Sequence, residues 1–358
     1  MYDLTDLNKP LAFVLRDWTK KYGAVYGIQE GLRRTLVVSD VGMIRDLFMK
    51  QYDYFYGRKN FIIGGDVEND PRVHVFEAQG VRWKRLRTIS TPAFSAASLK
   101  KIRPTVESSA LALMEFFEKE ANQKAFNIFP FFKEFSLDVI YRIAMGQRGS
   151  EIFTDKEKVA AVDYVSKHLT REEITAQCFV FLLAGFDTTA TSLAFVTYLL
   201  AKNPSVQTHL QEEIDQHCSR ESINYETLAS LKYLDAVIKE SLRMYPLAAF
   251  AVSRRCMKST TLGDVPLYEG DFVCADTLTL HFNREIWGDD ADDFRPERWL
   301  EQSERPTAAF LSFGLGPRQC IGMRLALMEE KLVLAHLLQR YDIIATDDTE
   351  VRISWYLN

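Results

Sequence analysis

Apolar residues recur at helical spacing along most of this chain, and three stretches break the rhythm. Residues 24–39, AVYGIQEGLRRTLVVS, read as two short strands around a Gly-containing turn. Residues 260–280 alternate loosely, with Gly-Asp and Glu-Gly turns, and predict further short strands. Residues 148–168 are polar and weakly patterned, the best place for a joint or an interruption. From Val41 onward helical periodicity otherwise dominates, with several candidates between Phe94 and Met145, including VESSALALMEFFEKEA. Thr170 to Glu173 reads T-x-x-E, a capping box that opens a long helix ending near Ala201, before Asn203-Pro204. Its middle, CFVFLLAGF, is apolar on every face, which predicts burial on all sides at the centre of the protein. LASLKYLDAVIKESLRMY predicts a helix ending at Pro246, and MRLALMEEKLVLAHLLQRY predicts the closing one. The expected fold is mainly α with a small β portion.

Composition narrows the class. The chain has 358 residues, 47% hydrophobic and 26% charged, enough for a sizeable core in one large domain or two ordinary ones. A net charge of −5 disfavours a nucleic-acid partner. Five cysteines lie far apart with no C-x-x-C pair, so neither a disulfide scaffold nor a zinc ribbon fits, and a reducing compartment does. The opening MYDLTDLNKPLAF shows neither a signal peptide nor a long apolar span, and the chain reads as soluble.

Chemistry concentrates in FGLGPRQCIG, residues 313–322. Most free cysteines act as small hydrophobes. Here Gly314 and Gly316 permit close backbone approach, Pro317 fixes a turn, and a helix start beyond Cys320 favours thiolate over thiol. No second Cys or His lies at zinc spacing, whereas a single axial thiolate suits haem iron. The glycines also half-match a dinucleotide loop, but no βαβ unit surrounds them. AGFDTT places Asp187, Thr188 and Thr189 inside the apolar helix. A Thr there either bonds back to the preceding turn and bends the helix, or lines a groove where hydroxyl and carboxylate relay protons. KESLR sets Glu240 and Arg243 on one helix face, FRPERW supplies Arg298, and RWKRLR sets Trp83 beside Arg87, an arrangement suited to clamping an anion.

In this order the motifs W-x-x-x-R, A-G-x-D-T, E-x-x-R, P-E-R and F-G-x-G-P-R-x-C-I-G resemble a cytochrome P-450, a haem-thiolate monooxygenase. The resemblance is nearest to the animal microsomal family 3-like group with its nematode relatives, and it runs from about Trp18 to Tyr341. It implies a single cytochrome P-450 domain over 1–358. The implied cofactor is haem b (iron protoporphyrin IX), with Cys320 as axial iron ligand and Phe313 beside it. Trp83, Arg87, Arg318 and Arg254 would hold the haem carboxylates, with Arg255 as a rival to Arg254. Glu240, Arg243 and Arg298 would form a buried structural triad. Thr188 with Asp187 would supply protons for dioxygen activation, and Phe76, Leu183, Ala184, Ala248 and Ala249 would line the substrate pocket. The resemblance also implies a lipophilic small-molecule substrate such as a steroid, fatty acid or xenobiotic, O2, and NADPH electrons through a flavoprotein reductase, with cytochrome b5 as a further partner. Basic residues around Lys84 and Lys100 would dock the acidic partner. The implied location is the endoplasmic reticulum membrane, or a peripheral or cytoplasmic one for a chain that shows no anchor.

Against the family pattern, the chain is expected to lack the N-terminal anchor, the terminal β-hairpin and, near 151–168, most of the helices that roof the substrate site. That leaves two alternatives to turnover as written. One is a haem-binding form impaired by the deletion, a truncated isoform or gene-model fragment. The other is a superfamily isomerase or dehydratase, which the Asp187-Thr188 pair disfavours.

Overall fold

The computed structural model describes residues 10–59, 66–120, 125–144, 146–147, 149–150, 152, 169–302, 304–347 and 349. The predicted interruption at 151–168 therefore lies outside the described residues apart from Ile152, as do the side chains of residues 249–250. Helix α1 (Leu11–Tyr22) leads into the hairpin of β1 (Val25–Glu30) and β2 (Arg33–Val38), with Val25 opposite Val38. Gly31 takes φ +62 in the two-residue turn, a left-handed conformation that glycine adopts freely.

Helix α2 (Val41–Arg45) continues as a π-helical turn over Asp46–Lys50. There follow α3 (Gly80–Ser90), α4 (Ala96–Glu120), α5 (Phe129–Ala144), α6 (Arg171–Lys202), α7 (Pro204–His217), α8 (Tyr225–Ser230) and α9 (Lys232–Met244). Next come β3 (Ser253–Arg255), β4 (Thr260–Leu262), β5 (Val265–Leu267), β6 (Phe272–Ala275), α10 (Thr277–His281), α11 (Arg284–Trp287) and α12 (Met323–Leu338). Strands β1, β2, β6 and β3 form one sheet in that order, with β2 and β6 parallel, and β4 pairs with β5. The architecture is mainly α with a small β layer, as the periodicity predicts.

Two elements depart from expectation. The helix predicted over 228–245 divides at Leu231, whose backbone is extended (φ −71, ψ 95). Glu213 on α7 accepts the N–H groups of Tyr233 and Leu234 at 2.8 and 2.9 Å, so a carboxylate founds a new helix start there. The second concerns α6. Its capping box forms: Thr170 Oγ1 accepts from Glu173 N at 3.2 Å, and Glu173 Oε2 accepts from Thr170 N at 3.1 Å. Burial on all sides, however, holds only for its second half. Leu193, Val196 and Leu200 are fully enclosed, whereas Phe179 and Leu183 are 59% and 58% exposed. Among the described residues α6 is also the one helix long and apolar enough to cross a membrane.

The larger core joins α4, α5, α9 and α12 around the second half of α6 through residues such as Leu113, Phe135, Val237 and Leu332. A second core lies under the sheet and includes Val38, Phe48, Val273 and Leu315. The Cys320 loop spans the two, because Leu315 belongs to the second core while Phe313 packs on the first. A loop anchored at both ends in packed interiors can hold a reactive side chain in place.

Candidate functional site

The Cys320 loop is closed on itself. Cys320 N donates to Phe313 O at 2.8 Å, and Gly314 N donates to Leu311 O at 2.8 Å. Gly314 and Gly316 both take φ +72, and a Cβ on Gly316 would overlap the Phe48 carbonyl oxygen, so only glycine fits there. Pro317 sits in the tight turn Gly316–Arg318. Cys320 is solvent-exposed even though protein surrounds it closely, so its sulfur lies at the bottom of an open recess. Desolvation raises the thiol pKa, while the N–H groups of Gly322 and Met323 and the guanidiniums of Arg87 and Arg58 pull it down. A soft sulfur, N–H donors at a helix start and nearby cations together suit a thiolate bound to a soft metal.

Four guanidiniums gather at this recess. Arg318 is 3% exposed; it donates to Ala78 O at 2.7 Å and stacks over the Trp83 ring at 4.5 Å, while its Nε has no partner. Burial drops its pKa to about 10. Arg254, 2% exposed, lies over the Phe48 ring at 4.4 Å, and burial drives its pKa well below the usual value. Arg87 is half-buried and lowered by desolvation. Arg58 stacks over the Phe76 ring at 4.1 Å, has an unpartnered Nε, and is lowered to about 9 by burial and by Arg318. The groups that favour the charge of these four are the Cys320 thiol and the Tyr52 phenol; no carboxylate among the described residues pairs with them. Buried cations without acids are costly unless an anion joins them. The donor set therefore suits an anionic ligand that also meets a thiolate, and haem, with its carboxylates and its iron, fits it.

Sequence reasoning named Trp83, Arg87, Arg254 and Arg318 but missed Arg58. Nothing in YGRKN separates Arg58 from a surface cation, and its neighbour Lys59 indeed turns to Glu30. Strand alternation sets Arg254 and Arg255 on opposite sides. Arg254 points to the guanidinium cluster, while Arg255 opens to the opposite side beside Arg33 and Phe272.

Glu240, Arg243 and Arg298 come together with 0% exposure each. Arg243 grips both Glu240 oxygens at 2.9 and 2.8 Å, and Arg298 Nε donates to Oε1 at 2.8 Å. Trp299 Nε1 completes the carboxylate, and the remaining guanidinium donors reach the carbonyls of His281, Ala291, Trp287 and Asp290. Such full satisfaction is what a buried ion pair needs. A cleft of about 330 Å³ lies between this trio and the Cys320 loop, lined by Arg298, Arg305, Phe313 and Met323 among others.

On α6, the Thr188 hydroxyl donates to Ala184 O at 2.6 Å, and Asp187, 55% exposed, meets Lys133 of α5 at 3.4 Å. Gly185 serves packing: a Cβ there would lie 2.5 Å from Ile140 Cδ1, so its smallness admits α5 and does not open a groove. Ser136 of α5 donates to the Phe186 carbonyl at 2.7 Å in the same contact. Of the expected pocket residues, Leu183 and Ala184 are exposed on α6, Phe76 lies beneath Arg58, and Ala248 is exposed with φ +50. The side chain of Ala249 lies outside the described residues. In the basic neighbourhood, Lys84 and Lys101 are exposed, Lys100 pairs with Glu226 and Arg85 with Glu173.

A family model described as Cytochrome P450 matches residues 3–169 and 153–355, its two segments meeting at the polar joint. A Caenorhabditis elegans protein named as a cytochrome P450, cyp-13B1, is 39% identical over 448 aligned residues, covering 99% of this chain and 88% of the relative. CYP13A10 of the same organism is 40% identical over 445, covering 96% and 86%. The likeness extends beyond the expected span of Trp18 to Tyr341 at both ends. Because 448 aligned positions face a chain of 358, at least 90 have no counterpart here.

Proposed function

The chain belongs to the cytochrome P450 family, and from that premise we propose that it inserts one oxygen atom of O2 into a lipophilic substrate, the other leaving as water. The observation that carries this reading is the meeting of Cys320 with Arg58 and Arg87, which Arg254 and Arg318 join in a cluster that shows no carboxylate partner among the described residues. Cys320 Sγ would take the iron, and Arg58, Arg87, Arg254, Arg318 and Trp83 would take the carboxylates and edge of haem. Once bound, haem supplies oxygen activation, and a thiolate ligand favours cleavage of the O–O bond. The protein's own contributions follow from its geometry. The N–H groups of Gly322 and Met323 stabilise the sulfur as an anion. Thr188 Oγ1 would turn its proton away from the Ala184 carbonyl to donate into the recess, and Asp187, exposed and held by Lys133, would relay a replacement proton from solvent. Phe76, Leu183, Ala184 and Ala248 would present apolar surface to the substrate. Electrons arrive from NADPH through a flavoprotein reductase, aided by cytochrome b5, at the basic face carrying Lys84 and Lys101. The whole chain works as one domain at the endoplasmic reticulum membrane.

A second reading has its own support. The 90 or more unmatched positions and the exposed Phe179 and Leu183 favour a haem-binding form with impaired turnover. A dry oxygen-activating site needs cover. The reduced carbon-monoxide difference spectrum of the purified chain tests the common premise: a strongly red-shifted Soret band is expected, and Cys320→Ser should abolish it. An ordinary haem band in the parent chain would overturn the thiolate assignment. Reductase-driven oxidation of a panel of steroids, fatty acids and drugs then separates turnover from impairment.

A further inference from the structure

Two adjacent acids, Glu329 and Glu330, sit on α12 with 1% exposure each, and neither belongs to the site described above. Glu329 Oε2 and Glu330 Oε2 have no hydrogen-bond partner among the described residues. Thr189 of α6 lies against Glu329, and Ser192 of α6 against Glu330. Both hydroxyl residues are buried, at 3% and 2% exposure, and Ser192 Oγ is also unpartnered. Four polar side chains thus meet in a sealed seam between the helix that follows Cys320 and the helix that carries Thr188.

Among the described residues the one cation whose charge reaches the seam is Lys331, which acts on Glu330. It makes no hydrogen bond to either acid and is committed to Asp235 of α9 at 2.8 Å and to Leu228 O of α8 at 3.3 Å. Asp235 is shared in turn with Lys239. From α4, Glu107 pairs with Arg103 and with His336, two turns further along α12. Helix α7 reaches α12 through the amide of Gln211, and α6 offers hydroxyls. Two carboxylates that no cation hydrogen-bonds cannot both stay ionised side by side in such a place. As neutral acids, each has one O–H to donate, and Thr189 and Ser192 can accept.

We propose that Glu329 and Glu330 are positioning residues which, as neutral acids, clamp α6 to α12 through Thr189 and Ser192 and thereby hold the Thr188 segment against the helix that follows Cys320. Ionising them leaves acceptors only, sets two like charges side by side in the interior, and releases the clamp. The haem seat is therefore held by acid and loosens in alkali. Burial pushes Glu330 up to about 8 and Glu329 well above the carboxyl range, so release begins just above neutrality. Cys320 responds in the opposite sense, because rising pH favours its thiolate, so its own titration cannot mimic the effect.

The inference rests on the haem-thiolate reading, and the test separates the two. Reduced carbon-monoxide difference spectra of the haem-loaded chain are followed from neutral to alkaline pH. The parent should lose its red-shifted band with a midpoint near about 8. In Glu330→Gln the midpoint should rise by at least about one pH unit, a tenfold change in proton concentration, and in E329Q/E330Q the band should persist. Coincident midpoints in parent and variants overturn the proposal, as does a parent band that is insensitive to alkali. Infrared spectra of the unsubstituted chain give a readout that needs neither haem nor variants. Protonated-carboxyl stretches should be present at neutral pH and fade in alkali, and their absence at neutral pH overturns the proposal. If the parent shows no red-shifted band at any pH, the haem-thiolate reading fails while the infrared arm still decides the state of the acids.

Discussion

Arg58 and Glu330 are both charged side chains placed where charge is expensive, and they resolve it in opposite ways. Arg58 stays cationic among three other guanidiniums and awaits an anion. Replacing it with Met should weaken haem binding about tenfold to a hundredfold, the range expected for one charge-assisted hydrogen bond. The ligand-free chain should lose no stability, because a desolvated cation repelled by Arg318 has been removed. Haem titration together with denaturant unfolding checks both halves, and a destabilised chain with unchanged haem affinity would sink the assignment. Glu330 resolves its burial by keeping its proton. Its folded pKa of about 8 lies above the ordinary 4.5, so as pH rises through that window the unfolded chain ionises first and the folded state loses stability. Glu330→Gln removes this loss. Its stability advantage over the parent should be absent below the window, grow across it and level off above, as read from unfolding curves at successive pH values.

At the scale of elements, α6 is set by its neighbours more than by its own pattern. Gly185 admits Ile140 of α5, and Ser136 ties α5 to the Phe186 carbonyl at the same level. Gly185→Val should cost about 1–3 kcal/mol through overpacking. Combined with Ile140→Ala it should cost less than the two changes added, a coupling that a double-mutant cycle measures. Strict additivity would mean that the two helices do not touch there. This contact was not legible in AGFDTT, where a small residue inside a helix suits a groove and a close helix crossing equally well. The capping box at Thr170 was legible, because both of its hydrogen bonds lie within four residues. The division at Leu231 was not, because its cause, Glu213, stands on another helix.

For the whole molecule, the informative feature is an exposed apolar face on a helix whose other half is core. Phe179 and Leu183 lie one turn apart and are more than half exposed. They occur just beyond the joint at which the two family-model segments meet. Exposed apolar surface of this kind favours association. The double substitution Phe179→Gln/Leu183→Gln should therefore reduce concentration-dependent self-association in light scattering. Equal scattering from parent and variant would show that this face is not what the chain associates through.

Much of the architecture and the identity of the candidate ligand set were determined by the amino-acid sequence alone. Helical period, capping chemistry, turn glycines and the surroundings of Cys320 are local properties, and local sterics and hydrogen bonding act without knowledge of the rest of the chain. Tertiary structure alone decided which arginines converge. It turned Arg58 toward the cluster and Lys59 toward Glu30, set Arg254 and Arg255 on opposite sides of their strand, and sealed Glu329 and Glu330 against α6. The cost of burying charge depends on the groups that distant segments bring within a few ångströms, and that is a property of the packed chain.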